Sequence, residues 1–168
     1  SHEHGYILNH DGFEIIDLGD DVYTQGKPHP MIDPTARLPF IIEAGKDKNT
    51  KVIVLDVVLG YGANEDPAET LISTIKEVLS NRPDVEIIVT LCGTKQDPQN
   101  LMEQEEKLVN AGAKVFRSNR IALDHALALV GKKVDYKEKQ VLPKSEKPVD
   151  MELGLENNLL NEKLQIIN

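Results

Sequence analysis

Lys51-Val52-Ile53-Val54-Leu55-Asp56-Val57-Val58-Leu59 is the stretch that decides the fold. It is apolar at odd and even positions alike, so the strand it predicts is buried on both faces. That is the pattern of a central parallel strand with helices on both sides. Asp56 interrupts the run, and a carboxylate there needs a partner or a place near the open end of the sheet.

Working outward, the same unit recurs. Phe13 to Leu18 predicts a first strand, Lys51 to Leu59 a second, Val85 to Leu91 a third and Ala113 to Phe116 a short fourth. Three of them lead through a loop to Asp-Pro, at Asp33-Pro34, Asp66-Pro67 and Asp97-Pro98. Asp is a strong N-cap, and Pro at the first helical position loses no hydrogen bond. Each pair therefore predicts a helix start: one helix from Asp33 to about Ala44, one to about Asn81, and one to Ala111-Gly112. Ser118-Asn119 caps a last helix, Ile121 to Val130. Strand and helix alternating at this spacing predict an α/β fold, a doubly wound parallel sheet of four or five strands in a three-layer α/β/α arrangement. We expect the first strand beside the second, in the order 2-1-3-4. The ligand site then falls at the carboxyl ends, between the loops after the first and third strands.

Outside this frame, Gly5 to Leu8 is a weak extended segment and Asn9-His10-Asp11-Gly12 a turn cluster. The domain is expected to span 1–131. Residues 132–150, rich in lysine and carrying Pro143 and Pro148, read as a linker. Residues 151–168 regain leucine and isoleucine and predict a short amphipathic helix. That tail is either a strap on this domain or the start of a further region, and the second is the expectation.

The chain has 168 residues, a net charge of -9 and a pI near 5.0. That acidity argues against nucleic acid and anionic membrane as partners. No apolar run is long enough for a membrane span and no signal-peptide pattern opens the chain, so a cytoplasmic protein is expected. Aromatic residues make up 4% and Trp is absent, which leaves Ile, Leu, Val and Ala to build the core. Cys92 stands alone, so no internal disulfide forms, and no metal site is expected.

The candidate site residues lie in the loops at the carboxyl edge: Gly26, Lys27, His29, Asp33, Arg37, Asp56, Gly60, Tyr61, Gly62, Gly93 and Thr94. His29 sits between Pro28 and Pro30, which stiffen its loop. It is the candidate catalytic residue, as a general base or phospho-acceptor; a packing or hydrogen-bonding role is the alternative. Arg37 can clamp a phosphate or carboxylate, or pair with Asp20, Asp21 or Asp56. Gly60-Tyr61-Gly62 is too short for a dinucleotide fingerprint and lets a loop approach an anion or another backbone closely. Cys92 reads as a small buried residue and His125 as a packing residue. The usual nucleotide, zinc-protease and serine-hydrolase signatures are absent.

Four strings together resemble a known family. Asp17-Leu18-Gly19-Asp20-Asp21, Gly26-Lys27-Pro28-His29-Pro30-Met31-Ile32-Asp33-Pro34, Leu55 to Ala63, and Cys92-Gly93-Thr94 with Asp97-Pro98-Gln99 are similar to the C-terminal CoA-ligase-type domain of FdrA proteins. These are bacterial relatives of succinyl-CoA synthetase, and the resemblance covers about residues 11–131. It implies a flavodoxin-like domain of a larger cytoplasmic protein, an acyl-CoA synthetase-like ligase. It also implies CoA and ATP or phosphate for the full-length protein, with none held by this domain alone. The implied partners are other domains of the same chain, a homo- or hetero-oligomer, and a small carboxylate or phosphate ligand. Two further readings are an oxamate carbamoyltransferase fragment of purine-nitrogen (allantoin) catabolism and a non-catalytic assembly module. By itself the domain is expected to be inactive. The synthetases' Gly-His-Ala-Gly phosphohistidine signature is missing, so His29 does not inherit that role.

Overall fold

The computed structural model describes residues 6–10, 12–132 and 163–167. Among these, the strands are β1 (Tyr6–His10), β2 (Phe13–Ile16), β3 (Thr50–Val58), β4 (Glu86–Cys92), β5 (Lys114–Phe116) and β6 (Lys163–Ile167). They form one sheet in the order β1-β2-β6-β3-β4-β5. Five are parallel, and β1 joins the edge of β2 antiparallel as a hairpin around Gly12. The helices are α1 (Asp21–Thr24), a 3-10 turn at Pro34–Arg37, then α2 (Leu38–Lys46), α3 (Pro67–Asn81), α4 (Leu101–Asn110) and α5 (Asn119–Leu129).

Burial follows from the strand pattern. Val52, Ile53, Leu55 and Val57 of β3 are fully buried. Its side chains alternate between two cores, as successive residues of a strand must. Ile53, Leu55 and Val57 join α2, α3 and α4 on one face through Ile41, Leu71, Ile75 and Leu108. Val52 and Val54 join α5 on the other through Ala122, Ala126 and Leu127. The three-layer, doubly wound α/β/α architecture is therefore as the sequence predicts.

The sheet order is not. β2 does not lie beside β3, because β6 fills the place between them and pairs in parallel with both. The helix expected over residues 151–168 is likewise overturned at Lys163–Ile167; residues 151–162 and the linker at 133–150 lie outside the described residues. In β6, Leu164 and Ile167 are buried in opposite cores, and Gln165 reaches Thr50 Oγ1 at 3.3 Å. Lys163 pairs with Asp47 at 2.7 Å and with Glu14 at 3.5 Å. A central slot between two strands rewards extended pairing more than an isolated amphipathic turn rewards helix. The turn cluster expected at Asn9 to Gly12 is also narrower than predicted, since Asn9 and His10 pair with Glu14 and Phe13 in the hairpin.

Of the three Asp-Pro pairs, two start helical turns as expected. Asp66 caps α3 through Glu69 N at 3.2 Å, and Asp33 caps the 3-10 turn through Thr35 N at 3.1 Å. Asp97-Pro98 does not, because the Asp97 carboxylate turns back to accept from Thr94 N and Asn100 becomes the cap of α4. Pro39 is accommodated at the start of α2, where its missing N–H is harmless. No described helix is long and apolar enough to cross a membrane.

Candidate functional site

The carboxyl ends of the parallel strands open into a cleft of ≈ 90 Å³ between the loop after β2 and the end of β3. It is lined by His29, Pro30, Met31, Pro34, Arg37, Asp56, Val58 and Pro67. The position differs from the expected one. The loops that meet follow the first and second predicted strands, not the first and third, because β4 pairs with β3 and lies far from β2.

Arg37 is the distinctive group. The 3-10 turn that Asp33 and Pro34 initiate carries it under the end of β3, where only 5% of the residue is exposed. One Nη donates to the Asp56 carbonyl and, at 3.2 Å, to the Asp56 carboxylate. Among the alternatives the sequence left open, Asp56 is thus the partner. The Asp56 side chain is 40% exposed, so its other side meets solvent. Arg37 Nε is buried with no hydrogen-bond partner. Burial pushes the guanidinium below its ordinary pKa, and the Asp56 charge offsets that only in part. A buried cation with an unmade hydrogen bond is costly.

His29 is exposed at the rim. Its Nδ1 accepts from Met31 N at 3.1 Å, so a neutral ring carries its proton on Nε2 and offers a donor there. The ring lies so close over Gly19 that a Cβ at that position would collide with Nε2. Gly19 is thus required by a neighbour, not by its own backbone. The N-terminus of the long helix α3 also reaches the cleft, through Pro67. Its Ala68 and Glu69 N–H groups are already taken, by Gln104 and by the Asp66 cap.

Of the predicted site residues, His29, Arg37 and Asp56 converge and the rest do not line the cleft. Asp33 spends its carboxylate on Thr35 N and Thr35 Oγ1, and these hydrogen bonds hold it below the usual carboxylate pKa. Gly26 and Lys27 lie in the exposed turn after α1. Gly60, Tyr61 and Gly62 form the next loop, with Tyr61 86% exposed. Gly93 packs on Leu59, and Thr94 is tied to Asp97. Cys92 is exposed at the end of β4, which corrects its reading as buried: Ile87 to Leu91 are covered on both faces and the last residue of the strand is not. His125 is more than packing, since it stacks near Phe116 and its Nε2 bonds the Glu86 carboxylate.

Two residues escaped the sequence reading. Gln99, 6% exposed, binds Gly60 N and O, and Asn64 binds Met31 O. Gln99 stands in the string Asp97-Pro98-Gln99, and nothing in the sequence there marks its amide as buried. Among the described residues, no group of three or more His, Cys, Asp or Glu is placed to hold a metal ion.

Two comparisons with known proteins bear on this arrangement. Over 102 residues the chain is 44% identical to the uncharacterized protein YahF of Escherichia coli K12, an alignment covering 58% of this chain and 20% of that one. This chain therefore matches about a fifth of the length of that relative. Residues 3–129, a span that takes in the cleft and every helix described, match the CoA-ligase family, and the chain belongs to that family.

Proposed function

We propose that this chain is the CoA-ligase domain of an FdrA-like acyl-CoA synthetase, and that its cleft holds the small anionic group, carboxylate or phosphate, on which the whole enzyme acts. The observation that carries this reading is Arg37, a nearly buried guanidinium whose Nε has no partner and which lines the cleft at the carboxyl edge. Two features support it. Ligands of open α/β sheets bind at that edge. His29 lines the rim of the same cleft. A cleft of ≈ 90 Å³ suits a group of a few heavy atoms and is far below the ~300 Å³ or more of ordinary cofactor pockets.

Within this reading, Arg37 binds and orients the anion. Asp56 keeps Arg37 charged and in place, and the prolines around His29 limit the entropy lost when the rim closes. The domain holds one reactant and needs the rest of the enzyme for turnover. In the longer protein the partners are its other domains, and the compartment proposed is the cytoplasm.

Thermal unfolding with phosphate, succinate, oxamate, carbamoyl phosphate, CoA and ATP tests this. A bound ligand at one hundred times its Kd adds about 2.7 kcal/mol of stability. A shift is expected with phosphate or succinate, and Arg37→Ala should abolish it while His29→Ala weakens it. A shift with oxamate or carbamoyl phosphate alone moves the assignment to a carbamoyltransferase. No shift at millimolar ligand makes the domain an assembly module.

A further inference from the structure

We propose that Gln99 is a positioning residue for the cleft, acting through Asn64 on the loop that carries His29. Gln99 does not touch the cleft itself. Its side-chain amide is committed to the main chain of another loop: Oε1 accepts from Gly60 N at 3.1 Å, and Nε2 donates to Gly60 O at 2.8 Å and to Asn64 O at 3.0 Å. Asn64 then passes the constraint on. Its N donates to Met31 O at 2.9 Å, and its Nδ2 donates to Ile32 O at 3.3 Å. Met31 N in turn donates to His29 Nδ1. A continuous line of hydrogen bonds thus joins the loops after β4, β3 and β2, and it ends on the imidazole.

Apolar packing does not hold the middle loop. Tyr61 at its tip is 86% exposed, and a Cβ at Gly60 or Gly62 would meet nothing within 4 Å. Gly60 has φ +145 and Gly62 φ +83, values that favour glycine and give the loop freedom a side chain would remove. Burying an amide to fix so open a loop makes physical sense if the loop's position matters beyond stability. It matters here because Asn64 braces Met31, which lines the cleft.

The functional part of this inference rests on the anion-site reading above; the structural coupling stands independently of it. The test uses the whole chain with Gln99→Glu, which keeps the acceptor for Gly60 N and replaces the donor facing two carbonyls with a second acceptor. Near neutral pH, amide hydrogen-exchange protection at Asn64 and Met31 should fall about tenfold or more, with the strands and α2 to α5 unchanged. Affinity for inorganic phosphate should fall about tenfold, the equivalent of about 1.4 kcal/mol. Protection at Asn64, compared with the unsubstituted chain at the same pH, should recover in acid as the introduced carboxyl protonates and regains a donor.

Unchanged protection at Asn64 and Met31 overturns the inference. So does loosened protection with unchanged phosphate affinity. If the unsubstituted chain binds neither phosphate nor succinate, the anion-site reading fails, and exchange at Asn64 and Met31 still decides the coupling. Gln99→Met, which fills similar space without a donor, gives the same two readouts should Gln99→Glu fail to fold.

Discussion

Two arginines lie at opposite ends of β3 and are used in opposite ways. At the amino end, Arg82 spends every nitrogen. Nε and Nη2 bind the Asp84 carboxylate at 2.9 and 2.8 Å, Nη1 binds Gly45 O and Asp47 O, and Nη2 also binds Thr50 O. It closes the end of α2 and the start of β3 in one grip. At the carboxyl end, Arg37 is the more deeply buried of the two and leaves Nε without a partner. The charge of Arg82 is reinforced by its hydrogen bond to Asp84, whereas burial weakens that of Arg37. A saturated arginine is a structural rivet. An unsaturated one, held in a cleft against a cost, is what the proposed anion site would explain.

That contrast can be broken by measurement. The largest expected effect on stability is at the amino end: Arg82→Ala should lower the unfolding free energy in urea by about 2–3 kcal/mol, since it removes hydrogen bonds to three main-chain carbonyls and a carboxylate at once. If it costs nothing, the rivet is an illusion. Arg37→Met, which keeps the packing and removes the under-bonded charge, should change stability by no more than about 1 kcal/mol while abolishing the phosphate- or succinate-induced shift. A loss as large as that of Arg82→Ala would make Arg37 structural as well.

The smallest effect is in the acid limb. Asp84 is drawn from 3.8 to about 2, chiefly by its hydrogen bond from Arg82. A carboxylate with a depressed folded-state pKa contributes stability above about pH 4, and that contribution is lost as pH falls towards 2. Thermal scans should show this limb in the unsubstituted chain and a shallower one in Arg82→Ala. Identical limbs would detach Asp84 from the grip.

The legibility of the chain divides along the same strand. β3 and the helices after it were readable because their signals are local: unbroken apolar runs, Asp-Pro starts, and glycines at the stops. The position of β6 was not, since its partners, Phe13 to Ile16 and Thr50 to Leu55, lie more than a hundred residues away in sequence. Nothing within Lys163–Ile167 announces which strands will flank it. In the site, Arg37 and Asp56 could be named because a charge inside an apolar frame stands out. Gln99 and Asn64 could not, because a neutral amide becomes informative only when its three partners are seen together. Cys92 was misread for a related reason: whether neighbouring elements cover the last residue of a strand is settled by packing and not by the strand's own sequence.

That cysteine has a practical use. It is the single thiol in the sequence and is exposed where β4 ends, with its carbonyl bonded to Leu59 N at the start of the loop that Gln99 holds. A thiol-reactive fluorophore would therefore attach at one place only, with no engineered background, at the edge where the loops meet. Its emission would give a continuous optical signal of loop movement during ligand titration or rapid mixing. The same exposure makes reducing buffer a condition of such work, because two chains meeting in air can couple through this sulfur.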